Sequence, residues 1–132
     1  MYGEMKLFAG SASVELAQQI ASHLGQRVEP VTHAKFSDGE LRIELESNVR
    51  GSTAFIIQST CAPVNDSLME LLLIADALRR SSVDKIVAVI PYFGYSRQDR
   101  RAGYSRVPIS ARVVADMIQS VGIEHVITVD LR

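Results

Sequence analysis

In Lys85-Ile-Val-Ala-Val-Ile90 the five residues after the lysine form an unbroken apolar run, which predicts a strand buried on both faces of a sheet. It leads into a loop, residues 92–106, whose only carboxylate is Asp99 and whose arginines are Arg97, Arg100, Arg101 and Arg106. In open α/β sheets, ligands bind at the carboxyl ends of the strands. The strand and its loop therefore predict a polyanion site, with a solvated basic loop as the simpler alternative.

Further apolar strands alternate with helical patterns on both sides of this run. The strands are predicted at Met5–Ala9, Ala54–Ile57 and Val126–Val129, and amphipathic helices follow the first two strands and the arginine loop. Strands that alternate with helices imply right-handed crossovers and a parallel sheet covered on both faces. We therefore predict a three-layer α/β domain with a mainly parallel sheet, in which residues 86–90 and 126–129 form central, buried strands.

Weaker signals lie between these strands. Two short strands are predicted at Val28–Val31 and Leu41–Leu45, with the turn residues Ser37-Asp-Gly39 between them. The second strand alternates apolar and charged residues, so one of its faces is expected to be exposed. In the helix that follows Ala54–Ile57, Ser67 and Glu70 have the spacing of a capping box, which predicts the start of that helix.

Composition bounds the class of protein. The chain has 132 residues, of which 47% are hydrophobic and 22% charged, and this predicts one soluble globular domain. A net charge of -1 argues against bulk binding of nucleic acid. The single cysteine, Cys61, excludes an internal disulfide framework, and no apolar stretch approaches the roughly 20 residues that span a bilayer. We therefore expect a cytoplasmic protein without a membrane or nucleic-acid partner.

Two other segments have side chains suited to binding a nucleotide. In Phe36-Ser-Asp-Gly-Glu40 an aromatic ring stands beside two carboxylates, which suits stacking on a base and accepting hydrogen bonds from an amine or a ribose. The alternative for this segment is an ordinary hairpin turn. Asp130 is the first polar residue after the run 126–129, where a carboxylate can hold a magnesium ion that bridges phosphates, or can simply be solvated.

The order and spacing of these segments resemble ribose-phosphate diphosphokinase, also called phosphoribosyl pyrophosphate synthetase. The resemblance is carried by Phe36–Glu40, Asn48–Gly51, Ile57–Pro63 with Asn65 and Asp66, Ala77–Arg80, Ile90–Arg101 and Thr128–Leu131. It matches the N-terminal domain of that family only. It implies a phosphoribosyltransferase-like fold and the transfer of the diphosphoryl group of ATP to ribose 5-phosphate, with Mg²⁺ as the metal.

The resemblance also implies roles for individual residues. Phe36 would stack on adenine, with Asp38 and Glu40 at the adenine and ribose edge, in a site shared with a neighbouring subunit of a homo-oligomer. The implied nucleotide contacts on the arginine loop are Arg97, Gln98 and Asp99. The implied catalytic cations, which neutralise charge on the transferring group, are Arg97, Arg100 and Arg101. Asp130 is implied as the magnesium ligand.

The sequence departs from the family pattern in two ways. The family has Asp-Leu-His where this chain has Asp130-Leu131-Arg132, and arginine cannot ligate a metal because it stays protonated. The family also has a second domain that binds ribose 5-phosphate, which is absent from these 132 residues. We therefore expect residues 1–132 to form a single N-terminal domain without turnover of its own.

The first interpretation is an inactive fragment of such an enzyme, and two alternative interpretations stay open. One is a non-catalytic, regulatory relative that assembles with complete synthetase subunits, which both departures favour. The other is a binder of single-stranded RNA that uses the aromatic and arginine side chains of the loop 92–106. The overall acidity of the chain weakens this second alternative.

Overall fold

The computed structural model describes residues 4–97, 106 and 108–130. In chain order the elements are β1 (Met5–Ala9), α1 (Val14–Leu24), β2 (Val31–Lys35), β3 (Leu41–Leu45), β4 (Thr53–Ile57), α2 (Val64–Arg80), β5 (Lys85–Tyr92), α3 (Ser110–Ser120) and β6 (His125–Asp130). The main sheet has the strand order β1-β4-β5-β6, and its neighbouring strands are all parallel. β2 and β3 form a separate antiparallel hairpin.

Alternate residues of the main-sheet strands point to opposite helical layers. On β1, Phe8 belongs to a core shared with α2 and α3, whereas Leu7 and Ala9 pack in a second core with Ala17 and Ala21 of α1. This is the period of two that a strand imposes on its side chains. The sheet therefore lies between α1 on one face and α2 with α3 on the other. The predicted three-layer α/β fold with a mainly parallel sheet is confirmed.

The position of β6 corrects one prediction. Residues 86–90 of β5 lie in the middle of the sheet and are largely buried, as expected. Within the described residues β6 pairs with β5 alone, so it is an edge strand, and Val126, Ile127 and Val129 are 42%, 51% and 84% exposed. An apolar run indicates a strand, but it does not specify the strand's place in the sheet. The prediction that residues 126–129 form a central, buried strand was wrong.

The start of α2 corrects another prediction. The helix begins at Val64 with Pro63 at its N-cap, so the capping box predicted at Ser67 and Glu70 does not exist. Glu70 instead lies in the second turn and faces the interior, beside the core residue Leu71. None of the helices in the described ranges is long and apolar enough to cross a membrane.

The hairpin begins later than its sequence suggests. β2 starts at Val31, whereas Val28 makes an isolated bridge to Leu7 at the edge of the main sheet. The apolar side chains of Val31, Ile43 and Leu45 pack against the core that contains α2. The hairpin is thus attached to the domain through one face, and its turn projects from the body of the protein.

Candidate functional site

The carboxyl ends of the main-sheet strands meet along one edge of the sheet. The backbone N–H of Gly10, after β1, donates to the carbonyl of Ile57 at the end of β4 (2.9 Å). At the other side of the edge, Tyr92 of β5 is the register partner of Asp130 of β6. The fold therefore brings the start of the arginine loop and the backbone of Asp130 to the same edge, as the sequence predicts for a ligand site.

The turn after β5 is fixed by close backbone packing. The N–H of Gly94 donates to Thr60 Oγ1 (2.6 Å), and the N–H of Thr60 donates to the carbonyl of Tyr92 (2.9 Å). A Cβ atom on Gly94 would lie 2.8 Å from Val64 Cγ1 and closer still to the carbonyl oxygen of Thr60. Only glycine fits this position without a shift of its neighbours.

Tyr95 redirects the chain after this turn. Its φ is 67°, a left-handed conformation that is unusual for a bulky residue. Its hydroxyl donates to Asn65 Oδ1 at the start of α2, which holds the ring against that helix. Two residues later, Arg97 is exposed.

A cleft of about 730 Å³ lies between this turn and the start of α2. Its walls include Asn65, Asp66, Tyr95, Arg97 and Ser110. The volume is within the range of small-molecule sites, about 300–1,000 Å³, and the walls combine an aromatic ring, hydrogen-bonding groups and a guanidinium. A guanidinium binds phosphate through forked, charge-assisted hydrogen bonds. The cleft therefore suits a phosphorylated ligand.

The segment Phe36–Glu40 forms a tight turn between β2 and β3. The N–H of Phe36 donates to the carbonyl of Glu40 (2.7 Å), and Gly39 has a φ of 93°, which favours glycine. Phe36, at the base of this turn, is 54% exposed. The geometry agrees with both interpretations of the segment, because a hairpin turn can also present an aromatic ring and carboxylates to a ligand.

The two carboxylates of the turn influence each other. The backbone N–H of Glu40 donates to Asp38 Oδ1 (3.0 Å), and this bond, together with a hydrogen bond from the Glu40 carboxyl, lowers the pKa of Asp38. The same contact with Asp38 raises the pKa of Glu40. Asp38 is therefore the member of the pair that keeps its negative charge to lower pH.

The hairpin lies beside the cleft. Lys35 Nζ at the end of β2 is 3.7 Å from Asp66 Oδ2, and Asp66 lines the cleft. The described walls of the cleft do not include Phe36, Asp38 or Glu40. The structure therefore groups the three turn residues together and places Arg97 in a neighbouring cavity.

Several of the predicted site residues lie outside the described part of the chain. These are Gln98, Asp99, Arg100 and Arg101, together with the side chain of Asp130. Among the described residues, no three His, Cys, Asp or Glu side chains are grouped so that they could hold a metal ion. A magnesium site at Asp130 stays a prediction.

Three residues near the site were not predicted from the sequence to contribute to the nucleotide site. Asn65 and Tyr95 fix the wall of the cleft, and Glu70 is buried behind the hairpin. For Glu70 the sequence contains a usable signal, because it lies one helical turn from Ile74 on the core-facing side of α2. A charged residue on the core-facing side of a helix indicates a buried polar network. The left-handed conformation of Tyr95 has no comparable signal.

Comparison with solved structures identifies the class of protein. The fold matches the crystal structure of phosphoribosylpyrophosphate synthetase from Mycobacterium smegmatis with a TM-score of 0.93 and 43% sequence identity. The match covers 97% of this chain and 43% of the mycobacterial chain. The protein thus has the fold of one part of such a synthetase.

Sequence comparison gives the family. The profile of the N-terminal domain of ribose phosphate pyrophosphokinase matches residues 5–122. The ribose-phosphate pyrophosphokinases of Vibrio vulnificus strain YJ016 and Haemophilus ducreyi are each 58% identical over 97% of this chain. The chain belongs to the ribose-phosphate pyrophosphokinase family and corresponds to its N-terminal domain. It spans 41% of the length of the Vibrio protein and 40% of that of the Haemophilus protein.

Proposed function

We propose that this chain provides the ATP-binding part of a ribose-phosphate diphosphokinase, which transfers the diphosphoryl group of ATP to the 1-hydroxyl of ribose 5-phosphate. The product is phosphoribosyl pyrophosphate, a precursor in nucleotide biosynthesis. The proposal rests on one observation. In this member of the family, the cleft lined by Arg97 and the hairpin turn lie next to each other at the carboxyl edge of the sheet. Ribose 5-phosphate would bind to the part of a complete synthetase that this chain does not match.

The turn supplies the groups that recognise a nucleoside. Phe36 offers an exposed ring for stacking on adenine, and Asp38 and Glu40 offer oxygens to the exocyclic amine and the ribose hydroxyls. The pKa of Asp38 is lowered and that of Glu40 is raised, so the oxygens of Asp38 stay hydrogen-bond acceptors to lower pH than those of Glu40.

The arginine loop supplies the groups that bind the phosphates. Arg97 lines the cleft, and we propose that Gln98 and Asp99 add nucleotide contacts, with Arg100 and Arg101 above the phosphates. Fixed guanidinium groups stabilise the charge that develops on a transferring diphosphoryl group and on the departing nucleotide. These arginines are therefore the catalytic residues of the proposal.

Asp130 is the residue of this chain that would hold magnesium. A carboxylate is a hard oxygen ligand of the kind that Mg²⁺ prefers, and this metal commonly uses one or two carboxylates together with substrate phosphates and water. Asp130 ends β6 beside Tyr92, at the same edge as the cleft, so its position suits this chemistry. Magnesium, when bound, would neutralise part of the phosphate charge.

We further propose that the site is completed in a homo-oligomer, or with subunits of a complete synthetase. Phe36 is exposed and does not line the cleft of its own chain, so the turn is free to enter the cleft of a neighbouring subunit. The location would be cytoplasmic, which agrees with nucleotide biosynthesis and with a single cysteine, Cys61.

Replacing Phe36 with alanine should weaken ATP binding without affecting the fold. The expected loss is about 1–3 kcal/mol, the usual contribution of a base–aromatic stack, or roughly 5- to 150-fold in Kd. Isothermal titration calorimetry with Mg-ATP would measure it, with circular dichroism as the check of folding. The matched control is Leu24→Ala, because Leu24 is also about half exposed, at 51%, but ends α1 on the opposite face of the sheet. The shared-site proposal would be contradicted if a monomeric preparation bound ATP as tightly as an oligomeric one.

A further inference from the structure

The carboxylate of Glu70 is buried in α2 and has no role in the proposed chemistry. Only 5% of the residue is exposed. Its carboxylate accepts hydrogen bonds from the backbone N–H and the hydroxyl of Ser11 (2.7 Å for the hydroxyl) and from Gln58 Nε2 (3.3 Å). His33 Nδ1 lies 3.8 Å from the same carboxylate.

The side chain of Glu70 is surrounded by hydrogen-bond donors. All three hydrogen bonds have the protein group as donor and the carboxylate as acceptor, which is the arrangement an ionised carboxylate requires. Burial of a carboxylate without such partners is strongly unfavourable. The network is therefore a specific buried junction, and its geometry depends on a side chain at position 70 that accepts all of these hydrogen bonds.

The junction joins four separate parts of the chain. Ser11 follows β1, Gln58 follows β4, and Glu70 itself belongs to α2. His33 lies on β2, two residues before the end of the strand that leads into the turn with Phe36. The hairpin has a second polar link to α2, between Lys35 and Asp66, but both of those side chains are largely exposed, and exposed ion pairs stabilise little.

We propose that Glu70 is a positioning residue for the nucleotide site, which acts through His33 to fix the hairpin against the carboxyl edge of the sheet. The direction in which Phe36 and Asp38 project from the domain then depends on this buried carboxylate. The inference rests on the proposed function, because it assigns Glu70 to the site that the turn would serve. Glu70 does not line the cleft, so its effect is indirect.

Two substitutions test the junction, one at the buried carboxylate and one at its contact with the hairpin. Glu70→Gln keeps the size of the side chain but removes its charge and directs an NH₂ group toward donors. His33→Gln removes only the link to the hairpin, so it tests the proposal even if Glu70→Gln fails to fold. We expect each folded variant to lower the affinity for Mg-ATP, by roughly tenfold for Glu70→Gln. The control is Glu44→Gln, on the same hairpin, because Glu44 is exposed and, within the described part of the chain, forms an ion pair with Arg42 alone (2.8 Å).

A double-mutant cycle separates positioning from general stability. If Glu70 acts through the turn, the loss caused by Glu70→Gln or His33→Gln should largely disappear in a Phe36→Ala background, since the positioned ring is then absent. Losses that add fully to that of Phe36→Ala would overturn the proposal, because they would show an effect independent of the turn.

A measurement without nucleotide distinguishes failure of this inference from failure of the proposed function. Spin labels at Ser37→Cys and Gln18→Cys, in a Cys61→Ser background, report the distance between the turn and α1 by pulsed electron paramagnetic resonance. Ser37 and Gln18 are both exposed. We expect a narrow distance distribution with Glu70 and His33 intact and a broader one in either variant. A broadened distribution in a chain that binds no ATP would contradict the proposed function alone, whereas an unchanged distribution in both folded variants would overturn the positioning role.

Discussion

A polypeptide of these 132 residues should form no detectable phosphoribosyl pyrophosphate from ATP and ribose 5-phosphate. Diphosphoryl transfer requires the acceptor hydroxyl to be held in line with the β-phosphorus, and such positioning contributes about 7–11 kcal/mol of the barrier reduction, or roughly 10⁵- to 10⁸-fold in rate. We assign the acceptor pocket to the part of the synthetase that this chain does not match, since the chain covers 41% of the Vibrio protein. The arginines alone would stabilise charge but would not orient the sugar.

The assay is direct detection of product from radiolabelled ATP and ribose 5-phosphate, with protein purified free of the host enzyme. The complete Mycobacterium smegmatis synthetase serves as the positive control in the same buffer. Arg132→Ala and Arg132→His form a matched pair: the histidine variant restores the residue of the family pattern and should bind Mg-ATP more tightly, yet neither variant should turn over. Activity that follows the 132-residue chain through every purification step would show that the acceptor site has been assigned wrongly.

Gly94→Ala should give the largest loss of stability among substitutions at the candidate site. The added methyl would meet the Thr60 carbonyl oxygen and approach Val64 Cγ1 to 2.8 Å. A backbone oxygen cannot rotate away, so strain should spread into the end of β4 and the start of α2. We expect the free energy of unfolding to fall by about 3 kcal/mol, at the upper end of typical overpacking costs.

Urea denaturation with an unchanged m-value would measure this loss. Gly39→Ala is the control, because Gly39 also has a demanding position, with a φ of 93°, but among the described residues other than its two chain neighbours no atom lies within 4 Å of the added methyl. Its expected cost is about 1 kcal/mol, from backbone strain alone. Equal stability of Gly94→Ala and the parent chain would show that the turn after β5 is not packed as described.

The sequence predicted the layers of the fold well, but it did not predict which strand lies at the side of the main sheet. Continuous apolar runs identified β5 and β6 as strands, because a parallel strand covered on both faces needs such residues. The same pattern could not indicate that Val129 would lie on an edge strand with 84% of its surface exposed. Strand order depends on long-range packing, and no local property of residues 126–129 encodes it.

The candidate site was predictable to the extent that it depends on local chemistry. Gly39 and the neighbouring Asp38 specified a turn, and Arg97 was placed correctly at the carboxyl edge of the sheet. The roles of Glu70 and Tyr95 were missed because they arise from contacts between distant parts of the chain, with Ser11 and Asn65. Helical periodicity marks Glu70 as core-facing, but its partners are visible only in the folded structure.

Equilibrium dialysis with each of the two substrates of the proposed reaction tests whether this domain forms the ATP side of the enzyme. One experiment uses radiolabelled ATP with Mg²⁺, and the other uses radiolabelled ribose 5-phosphate, with the same preparation of the 132-residue chain. We expect saturable binding of ATP that is weakened by Arg97→Ala but not by Arg112→Ala, since Arg112 is an exposed arginine on α3. We also expect no saturable binding of ribose 5-phosphate. Saturable binding of ribose 5-phosphate in the absence of ATP binding would contradict the claim that this domain forms the ATP side of the enzyme.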